Sequence, residues 1–168
     1  IREAENLRLG VFTFEDEDRT EEMDGEQEAA LREEDSRQEL WEIYRNAREV
    51  LSRWDSTETE KAKQVQTLEQ LWEDGFPAVA HQLGKCWRDG LGVFPDDEQA
   101  ELWFRRGAEA GCEFSQYALG RLYLSGKQIP QDREAAIHWL TLAAEQGSEY
   151  ARFLLNRMED WQRAAVAR

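Results

Sequence analysis

The sequence predicts an all-α chain, an alpha-alpha superhelix in which helical hairpins stack as a solenoid, preceded by an acidic, flexible N-terminal arm. Three observations predict it. Residues 83–111 and 119–147 repeat one another at a constant offset of 36 positions: Leu83 and Leu119, Gly84 and Gly120, Asp96 and Asp132, Trp103 and Trp139, and Gly111 and Gly147 coincide without an insertion. Within each copy the apolar residues recur at helical spacing, as Leu119, Leu122 and Tyr123 and then Ala136, Trp139, Leu140, Ala143 and Ala144. Residues 15–35 carry twelve acidic residues against Arg19 and Arg32. A fixed self-similarity of this length marks a repeat array, the i, i+3, i+4 spacing marks amphipathic helices, and a run of like charge stays solvated.

The chain opens with Ile1 rather than Met and is read as a segment of a longer protein. Leu7, Leu9 and Val11 alternate in LRLGVFTF, so a short strand is expected at 7–14 within an acidic arm or linker spanning 1–35. Good helix formers start a helix near Glu26. From 38 to 54 an apolar stripe of Leu40, Trp41, Tyr44, Ala47, Val50, Leu51 and Trp54 predicts a helix, and Thr57 with Glu60 has the form of a capping box for a second helix, 60–74. On the same ruler Gly75 precedes Gly111, and Leu68 precedes Phe104, by 36 residues, so 38–75 is a degenerate first repeat. Full repeats follow at 76–111 and 112–147, then a capping helix at 148–166, all inside a solenoid spanning 36–168. In each full repeat a glycine (Gly90, Gly126) ends the first helix, an aspartate (Asp96, Asp132) caps the second, and Gly111 or Gly147 closes it. Gly84 and Gly120 sit inside helices at a cost of about 1 kcal/mol each, and close approach of a Trp from the paired helix is the expected compensation.

A net charge of −15 and a pI near 4.6 argue against a direct nucleic-acid ligand, which needs basic surface. No apolar run approaches the roughly 18 residues of a membrane span. Cys86 falls on a core position and Cys112 at a helix start, without zinc or redox spacing, so no metal or cofactor is expected and a reducing cytoplasm is the expected compartment. His138 is expected on the solvent face. No Ser-His-Asp order, metalloprotease motif or phosphate loop is present, which leaves an enzyme no residues to act with. What remains is a ladder on the first helices. One column holds His81, Tyr117 and Phe153, another holds Lys85, Arg121 and Arg157 one turn on, and Arg88 aligns with Leu124. These eight positions are the candidate partner-binding groove, suited to a peptide carrying acidic groups. The alternative is that the rings pack between repeats and the cations are a solvated face.

The stretches YALGRLYLSGKQIPQDREAAIHWLTLAAEQG and HQLGKCWRDGLGVFPDDEQAELWFRRGAEAG resemble the Sel-one-like repeat, a relative of the tetratricopeptide repeat, over about half of the chain. Two departures stand out: Gly107 aligns with Ala143, and Phe94-Pro95 with Pro130-Gln131, so the interhelix turns are expected to differ. The resemblance implies a right-handed solenoid whose first helices line a concave groove, acting as a non-catalytic adaptor or scaffold for other proteins. Two alternatives stand beside the adaptor reading: a C-terminal accessory region of a larger bacterial enzyme such as a conjugative mobilisation relaxase, which the resemblance also allows, or a homo-oligomerisation module, self-associating through the arm or through Trp161 and the open end of the last helix. Disulfide-bearing members of that family repeat their cysteines in every unit, and this chain does not.

Overall fold

The computed structural model describes residues 25–127 and 129–167. The strand expected at 7–14 and the acidic run up to Asp24 lie outside the described residues. Among those described there are seven helices and no strand: α1 Gly25–Ser52, α2 Glu58–Glu73, α3 Val79–Asp89, α4 Asp97–Glu109, α5 Glu113–Ser125, α6 Arg133–Glu145 and α7 Glu149–Val166. The chain divides at Glu39 and Leu40 into two units. In the first, residues 25–39 are helical and exposed throughout, with Arg32 paired to Glu28 one turn earlier at 3.3 Å.

The second unit is built from local rules that repeat at the sequence period. The Thr57 hydroxyl accepts from the Glu60 amide (3.2 Å) while Glu60 accepts from the Thr57 amide (2.7 Å), completing the box that starts α2. The Asp96 carboxylate accepts from the amides of Glu98 (2.9 Å) and Gln99 (3.2 Å), and Asp132 accepts from Ala135 (3.0 Å). Each second helix ends in a Schellman motif: Phe76, Cys112 and Ser148 donate to Leu71, Gly107 and Ala143 at 2.9–3.0 Å. The closing residues Gly75, Gly111 and Gly147 have φ of 85°, 90° and 103°, values a side chain rarely adopts. Within each hairpin one bond fixes the return of the chain, from the Asp96 amide to the Trp87 carbonyl (2.8 Å) and from Asp132 to Tyr123 (3.1 Å). In the first of these turns Gly92, at φ 74°, lies against the Lys61–Ala62 backbone, docking the turn on α2.

The mid-helix glycines correct one expectation. A Cβ on Gly84 would enter the ring of Phe104, and one on Gly120 would meet Leu140 Cγ at 2.7 Å, so the residue after each Trp makes the close approach. Trp103 instead packs edge-on against Trp72, with ring centroids 5.7 Å apart, beneath the Arg106 guanidinium at 4.5 Å. Gly107 has a separate reason: a Cβ there would meet Ser115 on α5 and come within 3.2 Å of Ala80 Cβ. One unit later the roles are filled by Ala143 and Ala151, both fully buried.

Buried residues run continuously from hairpin to hairpin. Tyr44, Ala47 and Leu51 of α1 join Val65, Leu68, Val79 and Leu83; Ala100, Phe104 and Leu119 follow; Leu140, Ala143 and Ala151 end the series. Each helix pair packs on the next, and the first helices α3 and α5 also touch directly. Across α4 and α5, the Tyr123 hydroxyl donates to Glu101 (2.6 Å), and Arg105 donates to both.

Candidate interaction face on the first helices

Each column of the expected ladder has a defined environment. The His81 ring lies 5.8 Å from that of Phe114, and the Tyr117 ring lies 6.0 Å from that of Tyr150, which is the same relation moved on by one repeat. His81 and Tyr117 are therefore half-buried in the seams between successive first helices. Phe153, on α7, is 58% exposed. The cations stand one turn on: the guanidinium of Arg121 lies 5.7 Å from the Tyr117 ring centre, and that of Arg157 lies 5.7 Å from Phe153. Arg88 lies 5.8 Å from the Phe104 ring and pairs with Asp89 at 2.8 Å. Leu124 is half-buried between α6 and α7.

These eight residues do not share one depression. His81 and Lys85 line a cleft of about 380 Å³. Arg88 and Arg121 line a second, more polar one of about 430 Å³, beside Asp89 and Asp97. Leu124 and Arg157 line a third of about 280 Å³ with Met158 and Trp161.

The 380 Å³ cleft contains what the repeat ruler missed. Its remaining walls include Trp41, Tyr44 and Arg48 of α1 and Phe114 of α5. Tyr44 and Arg48 form a further rung, with the guanidinium 5.6 Å from the ring centre. Tyr44 precedes His81 by 37 residues rather than 36, so superposition at the period of the full repeats passes over it. The aromatic-to-cation spacing of four was the usable signal.

Charge sharpens the picture. The chain has 36 acidic and 21 basic side chains, yet Arg48, Lys85, Arg121 and Arg157 have no carboxylate partner among the described residues. Burial, then the charges of Lys85, Arg88 and Arg48, push the His81 imidazole from its usual range down to about 4, so the ring is neutral at physiological pH. Burial pushes the Cys86 thiol up to about 11, where it is not a nucleophile. Cys112 is a free thiol at the start of α5.

Hairpins linked by Schellman turns and packed first helix on first helix define an α-helical solenoid of the tetratricopeptide-like class. Within that class the Sel1 repeat family model matches residues 77–112 and 114–148. Solved structures agree. The c5321 protein, a protective antigen present in uropathogenic Escherichia coli strains and displaying an SLR fold, is 31% identical at a TM-score of 0.56, over 58% of this chain and 21% of that one. A Sel1 repeat protein from Oxalobacter formigenes is 29% identical at 0.52, over 58% and 41%. Cysteine rich protein B of Helicobacter pylori, 22% identical at 0.51 over 55% and 69%, shows the fold alone. The matched region thus spans about a fifth and two fifths of the first two chains. No curated protein matches the sequence. Sel1 repeats commonly mediate protein–protein interaction.

Proposed function

We propose that this chain is a non-catalytic adaptor that binds a partner peptide along the groove of its first helices. The observation that carries this is the row of cations without a carboxylate partner among the described residues, Arg48, Arg121 and Arg157 each set beside an aromatic ring and Lys85 between them, in a protein otherwise dominated by negative charge. Rings supply contact area at little entropic cost, and cations without internal partners select an acidic ligand. The free thiols of Cys86 and Cys112 fit work in a reducing compartment such as the cytoplasm. In a pull-down from the source lysate, the Arg121→Glu/Arg157→Glu chain should lose partners that the intact chain retains, while its circular dichroism stays unchanged. Retention of the same partners by both would remove the groove from consideration.

A second reading, homo-oligomerisation, is favoured by α7, along which Phe153 (58%), Trp161 (71%) and Val166 (88%) are exposed. It expects sedimentation to depend on concentration, and Trp161→Asp to abolish that dependence. A monomer at every concentration would leave the adaptor reading alone.

A further inference from the structure

The cleft between α1, α3 and the start of α5 narrows the ligand chemistry, given the groove reading above. Trp41, Tyr44, His81 and Phe114 wall it with rings, and among the described residues its charged lining consists of Arg48 and Lys85. Trp41 is 44% and Phe114 62% exposed, so apolar surface faces solvent beside two cations. A carboxylate here meets positive charge from both walls. A basic ligand meets like charge, and a purely apolar one leaves both cations to be desolvated without compensation.

Rung spacing adds a second constraint. Directly packed helices such as α3 and α5 stand about 8–10 Å apart, and an extended peptide advances about 3.3 Å per residue. One rung therefore corresponds to about three residues of an extended chain.

We propose that the cleft is the anchor site for an extended acidic peptide that places one apolar side chain among Trp41, Tyr44 and Phe114 and carboxylates, about every third residue, at Arg48, Lys85 and Arg121. The neutral His81 ring belongs to the apolar wall. At Arg121 the nearby carboxylates are Asp89, held by Arg88 at 2.8 Å, and Asp97; acidic residues beyond about 8 Å oppose such a ligand weakly, because their charges are largely screened at physiological ionic strength.

The test is fluorescence anisotropy on the full chain with three fluorescein-labelled nonapeptides. The first has a central Leu and Glu at every third position; the second has the same composition with the Glu residues clustered at one end; the third has Lys in place of Glu. The spaced acidic peptide should bind at least about tenfold more tightly than either of the others, a difference of about 1.4 kcal/mol, and its affinity should fall as salt rises. Arg48→Glu and Phe114→Ala, both at exposed positions, should each weaken it by about tenfold. If Arg121→Glu weakens binding and those two do not, the groove reading survives and the anchor site is wrong. Equal binding of spaced and clustered peptides overturns the three-residue spacing. Equal binding of the Lys peptide, or no binding of any peptide, overturns both the anchor and the acidic ligand.

Discussion

Gly84→Ala is expected to lower the stability of the folded chain by about 2 kcal/mol, even though alanine is the better helix former by about 1 kcal/mol. The new methyl would be built into Phe104: it lies 2.9 Å from Cγ and closer still to two further ring carbons. Phe104 is fully buried, with the His81 ring 6.0 Å away and Arg88 over its face at 5.8 Å, so the ring has no free volume into which to retreat. The sign should reverse when the ring is removed. Phe104→Ala alone should cost about 4 kcal/mol through the cavity it leaves, and Gly84→Ala added to that variant should cost nothing or recover up to about 1 kcal/mol. Urea unfolding followed by far-ultraviolet circular dichroism gives all four corners of the cycle. If Gly84→Ala has the same effect in both backgrounds, the contact with Phe104 is not the reason for a glycine there.

The same pair shows how far the sequence could be read. The 36-residue ruler places Gly84 and Gly120 in one column and shows that both are kept small, because a helix interior tolerates glycine only where something compensates for it. It does not say what approaches. Trp103 and Trp139 are the most conspicuous residues of the second helices, yet Phe104 and Leu140, one position on, point at the glycines, since consecutive residues on a helix differ by about 100° of rotation. Caps and turns were legible because they depend on neighbours in sequence: Thr57 with Glu60, Asp96, Asp132 and the closing glycines all sit where local rules put them.

Legibility of the face on the first helices failed for a related reason. His81, Tyr117 and Phe153 fall on one ruler mark, and their cations on the next. Tyr44 and Arg48 fall one residue off it, and Phe114 shares its mark with Ala78 and Tyr150, which conceals the column. A cleft is made by residues from three helices, and only packing shows that α1 supplies a wall to it. Sequence also left open whether the rings pack between repeats or await a partner. Two of them do the first, His81 on Phe114 and Tyr117 on Tyr150. The cations beside them remain unpaired, and on that charge the acidic-ligand reading rests.

His81 should make this fold acid-sensitive well above the range where carboxylates titrate. Burial in the seam, reinforced by Lys85, Arg88 and Arg48, holds the folded imidazole near 4, while the unfolded chain takes up the proton near 6.5. Between those values the unfolded state binds a proton that the folded state refuses, so lowering the pH favours unfolding; above about 6.5 neither state is protonated and this group contributes no slope. Because the ring keeps some contact with solvent, the loss between pH 7 and pH 5 should be about 1–2 kcal/mol, short of the full linkage value. The carboxylates of Asp55, Glu60 and Asp89, held below their usual range by Arg53, the Thr57 amide and Arg88 respectively, lose their stabilisation at lower pH in any variant and cancel in a comparison. His81→Phe places at 81 the residue type the third rung already uses, keeps the stacking on Phe114 and removes the titration. Wild type should thus lose stability relative to His81→Phe across pH 7 to 5, its urea midpoint falling further than that of the variant as the pH falls. Parallel curves would mean that the imidazole is protonated in the folded state, and a positive ring among Arg48, Lys85 and Arg88 would change the cleft from an apolar wall with flanking cations into a wholly cationic one.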